Sequence, residues 1–252
     1  DIPGMTQRGV VVTITPEANA GSVAEHTLML MLACARRTVQ YDARVRDLNW
    51  GVVPELPTHD IAGRTVLILG FGRIGTRVAR LCAAFGLNVL VYDPFIPVGT
   101  IRGSGYEAVV DLRDGLAVAD IVTLHCPSSA ETRGLVNADF LGAMKRGAFF
   151  INAARGKLVE EAALAEALRS GQVAMAGIDV LYDEPVSATN PLLDAPNCIF
   201  SPHTAASSHE GTRRMALSAA QSVLDCFHDR LPADVIVNPE ALQRRPALAV
   251  AG

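Results

Sequence analysis

Three side chains in the C-terminal half of the chain could together carry out acid/base chemistry at a small anionic substrate: Arg155, Glu184 and His203. An imidazole has an ordinary pKa of ~6.5, so it can accept or donate a proton near neutral pH. A carboxylate on its second nitrogen would fix the tautomer and stabilise the imidazolium. Arginine carries a permanent charge on a planar fork that suits both a carboxylate and a polarised carbonyl. These residue types therefore suit acid/base chemistry at a carbonyl group. The simpler interpretations are a surface ion pair for the arginine and a buried structural role for the histidine.

A glycine-rich stretch in the first third of the chain indicates what could react with such a carbonyl. The apolar run Val66–Leu69 leads directly into Gly70-Phe71-Gly72-Arg73-Ile74-Gly75, and the pattern predicts a helix over Thr76–Phe85. The next apolar run, Asn88–Tyr92, ends at Asp93. This is the order of a βαβ unit that binds a dinucleotide, with the pyrophosphate at the helix N-terminus. A carboxylate at Asp93 suits ribose hydroxyls and repels a 2′-phosphate, which favours NAD over NADP.

The elements that must position these residues follow from the pattern of apolar runs. Further strands are predicted at Val10–Val12, Asp120–His125, Ala148–Asn152, Val173–Val180 and Cys198–Phe200, and helices at Leu141–Lys145, Glu160–Ser170 and Glu210–His228. Strands that alternate with helices predict an α/β fold, a Rossmann-type doubly wound parallel sheet. Ligands bind such sheets at the carboxyl ends of the strands. That rule adds to the cofactor site residues at the ends of strands or shortly after them: His125, Cys126, Pro127, Ala153, Ala154, Asp179 and Ala205. His125 is equally compatible with a role in capping its strand.

The chain resembles the D-isomer-specific 2-hydroxyacid dehydrogenase family. Three motifs carry most of the resemblance: Asn-Ala-Ala-Arg-Gly from Asn152, Asp-Val-Leu-Tyr-Asp-Glu-Pro from Asp179, and Ser-Pro-His-Thr-Ala from Ser201. The resemblance implies that Arg155 binds substrate, that His203 is the catalytic acid/base and that Glu184 pairs with it. It also implies that Asp179 contacts the carboxamide of the nicotinamide. The expected reaction is hydride transfer between NAD and a small D-2-hydroxy acid or 2-keto acid, without a metal.

The same resemblance implies a second lobe that closes over the substrate, and most of its N-terminal part is absent from this chain. We therefore expect only remnants of that lobe, and an impaired homologue is an alternative to a working enzyme. A second alternative is an NAD-sensing, dimerising interaction module of the corepressor type. A third is an enzyme acting on formate or phosphite, although Glu184 speaks against formate, because the formate branch has glutamine there.

The predicted organisation has three segments. Residues 1–57 would hold the remnant of the substrate lobe with an interdomain helix and arm, residues 58–209 the NAD-binding domain, and residues 210–252 a C-terminal helix and a mobile tail. A capping box at Ser22–Glu25 predicts a helix over Val23–Ala35 that is apolar nearly all round. The resemblance implies a homodimer that pairs through this helix and the arm around Trp50. His26, on the same helix, is expected to be a buried or interface residue rather than a ligand.

Composition excludes several other classes. The chain has 252 residues, is 50% hydrophobic and carries a formal charge of −4, so no basic surface for nucleic acid is expected. Its longest apolar run, Leu28–Ala35, is far shorter than the ~20 residues of a membrane span. The five cysteines are scattered without metal-ligand spacing, which favours free thiols, no metal site and a cytoplasmic location.

Overall fold

The computed structural model describes residues 1–244, which divide into two compact units. The larger unit comprises Val23–Ala205 and the smaller one Asp1–Ser22 with the chain from Ala206 onward. This division groups residues 23–57 with the sheet, whereas the sequence analysis assigned them to the remnant lobe and its connection. The predicted mobile tail falls, from residue 245 on, outside the described residues.

The larger unit is built on a parallel sheet of seven strands, in the order β3-β2-β1-β4-β5-β6-β7. The strands are β1 Thr65–Leu69, β2 Asn88–Tyr92, β3 Glu107–Ala108, β4 Ile121–Leu124, β5 Ala148–Asn152, β6 Val173–Ile178 and β7 Cys198–Phe200. The chain winds outward from β1 in one direction and from β4 in the other. The doubly wound Rossmann-type sheet predicted from the sequence is therefore confirmed.

Helices cover both faces of this sheet. The helices of both units are, in chain order, α1 Ile2–Gln7, α2 Ala20–Arg36, α3 Thr38–Arg46, α4 Arg73–Ala84, α5 Val98–Gly103, α6 Leu112–Val118, α7 Ala138–Ala143, α8 Glu161–Arg169 and α9 His209–Phe227. Short 3₁₀ helices span Gly156–Leu158, Ala233–Val235 and Pro239–Arg244.

The strands are mostly apolar because both faces of the sheet are buried. Successive residues of β1 point to opposite faces, so Leu67 and Leu69 join one core while Val66 and Ile68 join the other. The first core packs under α6, α7 and α8, and the second under α2, α4 and α5. Glycine loops and polar turns are thereby left at the carboxyl ends of the strands.

Helix α2 differs from its prediction in two ways. It begins at Ala20, so Ser22 lies inside the helix and cannot be its N-cap. Leu30, Met31 and Cys34 are buried in the sheet's second core, but Met29 on another side is 45% exposed. The helix is thus buried on the side that faces the sheet and open along a second side.

The smaller unit also departs from the sequence pattern. The strand predicted over Val10–Val12 does not form, and only Thr13 makes an isolated antiparallel bridge, to Ile236. The Asn238 side chain holds this stretch instead: its Oδ1 accepts from the amide of Val12, and its Nδ2 donates to the carbonyl of Val10. Main-chain pairing with the neighbouring segment stays short: the Val12 carbonyl accepts from the Val237 amide and the Ile14 amide donates to the Val235 carbonyl, both at 2.9 Å.

Candidate active site

The glycine loop joins β1 to α4 at the point where the sheet's winding direction reverses. Gly70 has φ +99°, and a Cβ there would lie 2.7 Å from the carbonyl group of His125. A Cβ on Gly75 would overlap the carbonyl of Gly70, so the helix start and the turn are in backbone contact. Among residues 1–244, and apart from its two chain neighbours, nothing lies within 4 Å of the position that a Cβ on Gly72 would take. Gly70 and Gly75 are therefore needed for packing, whereas Gly72 leaves open space in which a ligand could approach the backbone.

Helix α4 starts at Arg73, three residues before the predicted position, and its N-cap is Gly72. Glycine has no side chain with which to cap the helix, so the amides of the first turn remain available to an anion. Arg73 is exposed and Ile74 is half-buried at this N-terminus. A helix N-terminus that adjoins the open space at Gly72 fits the pyrophosphate of a dinucleotide.

Asp93 closes the loop from the end of β2. Its Oδ2 accepts a hydrogen bond from the Phe71 amide at 2.8 Å, and its Oδ1 accepts one from the Phe95 amide at 2.9 Å. A carboxylate has about four acceptor positions, so both oxygens retain capacity for ribose hydroxyls. The glycine loop itself thus holds the acid that would recognise the ribose.

The segment after β4 lies against the glycine loop. The Nε2 atom of His125 is 3.0 Å from the Thr123 hydroxyl, while its buried Nδ1 has no hydrogen-bond partner among the described residues. Burial lowers the pKa of His125 to about 3, so its ring is neutral. Burial also raises the pKa of the Cys126 thiol. Pro127 is exposed, and its carbonyl accepts from the Thr132 hydroxyl at 2.7 Å.

The turn after β5 is organised by one buried amide side chain. Asn152 accepts a hydrogen bond from the Ala154 amide and donates one to the Arg155 carbonyl, both at 3.0 Å. Ala153 and Ala154 are buried, and Arg155 is exposed with its Nη1 2.6 Å from the Ala154 carbonyl. The motif therefore projects a guanidinium from a turn whose backbone is fixed from below.

Gly156 brings this turn to the loop that follows β6. A Cβ at Gly156 would overlap the backbone of Leu181 and Tyr182, so the two loops touch main chain to main chain. Glu184 lies on the second loop, where its Oε1 accepts from the Leu181 amide at 3.1 Å. Arg155 and Glu184 are thus brought to the same region although they are distant in the sequence.

His203 completes the cluster from the turn after β7. Its Nδ1 lies 2.6 Å from Glu184 Oε2, and the two side chains are 49% and 39% exposed. With Nδ1 engaged, Nε2 remains for a substrate. The contact between histidine and carboxylate that the sequence predicted is present, and its role in acid/base chemistry stays a prediction.

Asp179, at the end of β6, is the most enclosed charged group near this cluster, with its side chain 0% exposed. Burial acts to raise its pKa, but hydrogen bonds from His26, Ser201, Thr204 and Ala205 outweigh burial and lower the pKa to about 2. The carboxylate therefore holds the turn that contains His203. Its predicted contact with the nicotinamide carboxamide stays a prediction.

Arg155, Glu184 and His203 line one cavity of about 410 Å³. Its lining comprises Ser128, Arg155, Gly156, Lys157, Val180, Leu181, Tyr182, Asp183, Glu184 and His203. Lys157 and Tyr182 were not singled out from the sequence, and the Lys157 ammonium lies 5.9 Å from the centre of the Tyr182 ring. Lys157 lies two residues after Arg155, and Tyr182 lies two residues before Glu184. This proximity in the sequence was the signal that could have identified them as cavity residues. Among residues 1–244, no cluster of three or more histidine, cysteine or acidic side chains could hold a metal ion.

Comparisons with known proteins agree with this geometry. Residues 28–205 match the model of the D-isomer specific 2-hydroxyacid dehydrogenase, NAD binding domain. The chain is 40% identical over 225 residues to a D-3-phosphoglycerate dehydrogenase of Archaeoglobus fulgidus. The matched region covers 89% of this chain and 42% of that protein. It is 37% identical to a glyoxylate reductase of Korarchaeum cryptofilum, over 98% of this chain and 74% of that protein.

A solved structure shows the same likeness. D-lactate dehydrogenase from Aquifex aeolicus, in complex with NAD and lactic acid, matches with a TM-score of 0.83 and 29% identity, over 94% of this chain and 76% of that one. The chain spans less than half the length of several phosphoglycerate dehydrogenases that it matches.

Proposed function

This chain belongs to the D-isomer specific 2-hydroxyacid dehydrogenase family, and from that premise we propose that it transfers a hydride between NAD and a small D-2-hydroxy acid or 2-keto acid. The observation that carries the proposal is the 2.6 Å contact between His203 Nδ1 and Glu184 Oε2 in the cavity that Arg155 also lines. The cofactor is NAD, because residues 28–205 match the family's NAD-binding domain.

The residues that would hold NAD lie where the winding direction of the sheet reverses, between β1 and β4. Gly72 and the first turn of α4 would face the pyrophosphate, and Asp93 would accept hydrogen bonds from the ribose. The buried, unpaired Nδ1 of His125 supports a ligand close to the loop after β4. When bound, the nicotinamide supplies the hydride for reduction and accepts it for oxidation.

The side chains of the cavity would perform the rest of the reaction. Arg155 would bind the substrate carboxylate and draw charge onto the carbonyl oxygen. As the hydride reaches the carbonyl carbon, His203 would donate its Nε2 proton to that oxygen, which yields the hydroxy acid. Glu184 would stabilise the imidazolium before transfer and hold the Nδ1–H tautomer afterwards. Oxidation runs through the same steps in reverse, with His203 as the base.

The interaction-module alternative is not favoured. The two relatives and the solved structure named above are dehydrogenases and a reductase, and the structure contains NAD and lactic acid. The name of the Korarchaeum relative makes glyoxylate a reasonable first substrate.

Turnover tests the proposal directly. The wild-type protein, His203→Ala and His228→Ala would be assayed with NADH and glyoxylate, hydroxypyruvate or phenylpyruvate, by the loss of NADH absorbance. His228 is an exposed histidine at the end of α9 and serves as the matched control. We expect unchanged rates in the control and a loss of at least ~100-fold in His203→Ala. Equal rates in all three proteins would refute the assignment of His203.

Pairing of two copies through α2 is part of the same proposal. An apolar groove of about 390 Å³ runs along the open side of this helix, between Glu25 and Leu81. Met29 lines it, and Trp50 on the following arm is 88% exposed. Burial of this surface would stabilise a homodimer. Met29→Glu should yield monomers in sedimentation at micromolar concentration, and a monomeric wild-type protein would contradict the pairing.

A cytoplasmic location is also proposed, supported by five cysteines that are all free thiols. Within residues 1–244, none of the helices combines the length and apolar character needed to span a bilayer.

A further inference from the structure

The turn that carries His203 is held in an unusual backbone conformation. His203 has φ +52°, a left-handed region that a non-glycine residue keeps only when its surroundings hold it there. Three successive amides of the turn donate to Asp179. The His203 amide donates to its carbonyl at 2.8 Å, that of Thr204 to Oδ1 at 2.9 Å and that of Ala205 to Oδ2 at 3.1 Å. The position of the His203 ring therefore depends on where the Asp179 carboxylate is fixed.

The carboxylate of Asp179 is itself fixed by side chains. It is buried and ionised, and a buried charge needs donors around it. The Ser201 hydroxyl donates to Oδ1 at 2.5 Å. Because that hydrogen is used, the Ser201 oxygen can act only as an acceptor toward a further partner.

The further partner comes from helix α2, far away in the sequence. His26 Nε2 lies 2.8 Å from Ser201 Oγ and 3.4 Å from Asp179 Oδ1. Since both neighbouring atoms are acceptors, Nε2 carries the hydrogen in this contact. His26 therefore ends a chain of donors that runs from α2 through Ser201 to the carboxylate beneath the His203 turn.

We propose that His26 is a positioning residue, which acts through Ser201 and Asp179 to keep His203 in the conformation that faces Glu184. This inference rests on the proposed function, since it concerns the same acid/base. It assigns a role in the active site of its own chain to a histidine that the sequence predicted to be a buried or interface residue. It also makes α2, the helix proposed to pair two copies, a structural support of the catalytic turn.

Amide hydrogen exchange tests the inference without requiring turnover. In His26→Leu, the Thr204 and Ala205 amides should exchange at least about tenfold faster, as expected when a hydrogen bond to a charged network is lost. His26→Gln, whose amide can place a donor near the former Nε2, should restore most of the protection. Thr27→Val, a neighbouring change on α2 that removes only an intrahelical bond to Val23, is the matched control.

Two further measurements distinguish an effect on the position of His203 from a loss of stability of the whole protein. The amides of β1 should keep their wild-type exchange rates in His26→Leu, and kcat should fall while KM for NADH stays constant. Should His26→Leu fail to fold, Ser201→Ala interrupts the same chain of donors and should give the same pattern. Wild-type protection of Thr204 and Ala205 in either variant would overturn the inference. Absence of turnover in the wild-type protein would instead count against the proposed function. Hydrogen exchange at Thr204 and Ala205 would still decide whether His26 holds the His203 turn.

Discussion

The glycine loop allows stability and cofactor binding to be separated by two similar substitutions. In Gly70→Ala, the new Cβ occupies a backbone with φ +99° and lies 2.7 Å from the His125 carbonyl. The strained backbone costs about 1–3 kcal/mol and the close contacts about 1–3 kcal/mol. The loss of chain entropy in the unfolded state offsets about 0.4–1 kcal/mol. We therefore expect Gly70→Ala to lower the free energy of unfolding by about 3 kcal/mol.

Gly72→Ala is the matched control for stability and the test for binding. In the described part of the chain, no atom beyond the two neighbouring residues lies within 4 Å of the added Cβ, and the backbone there is extended. Alanine is a poorer N-cap than glycine by roughly 0.5–1 kcal/mol, and the entropy of the unfolded chain offsets a similar amount. The free energy of unfolding should therefore stay within about 0.5 kcal/mol of wild type. The same Cβ would occupy space that the pyrophosphate needs, so NADH affinity should fall at least about tenfold.

Urea unfolding without cofactor and a fluorescence titration with NADH measure the two effects. Equal stability of Gly70→Ala and Gly72→Ala would refute the argument from backbone geometry. Wild-type NADH affinity in Gly72→Ala would refute the placement of the pyrophosphate.

Three further outcomes are expected. Glu184→Gln should lower kcat about 10–100-fold with KM for NADH unchanged, because the amide cannot stabilise the His203 imidazolium; equal kcat would contradict this role. Asp93→Ser should reduce the preference for NADH over NADPH in binding titrations at least about tenfold. An unaltered preference would refute the proposed contact between Asp93 and the ribose. Asp179→Asn should destabilise the protein by about 2 kcal/mol at pH 7, because the folded-state pKa lies near 2 rather than 3.8. A lowered pKa contributes stability above the unfolded-state value and loses it as pH falls through about 2, so the difference in unfolding free energy should shrink below about pH 4. A difference independent of pH would show that the carboxylate is not the cause.

The sheet was predictable because its strands have an unambiguous pattern. Apolar runs such as Phe149–Ile151 are buried on both faces, and each ends at a glycine or a polar turn. The same runs place Gly70, Asp93 and Arg155 at one edge of the sheet by simple topology. The family resemblance then supplied expected roles that no spacing could give.

Other features depended on contacts that are distant in the sequence. The start of α2 at Ala20 rather than after Ser22 follows from its surroundings, because the Ser22 hydroxyl bonds to Ser208 and Arg214. The link from His26 to Ser201 joins residues 175 positions apart. Val10–Val12 has strand propensity, but propensity alone does not extend the short pairing around Thr13 into a strand.

The main-chain contact at Gly156 bears on how substrate preference could change over evolution. Backbone atoms of Leu181 and Tyr182 set the spacing between the loop of Arg155 and the loop of Glu184. Side chains elsewhere on the cavity wall therefore contribute little to that spacing. Ser128, Lys157, Tyr182 and Asp183 line the cavity and could be exchanged without displacing the reactive groups. New substrates could thus be sampled by single substitutions, while a mutation at Gly156 would disturb the whole pocket at once.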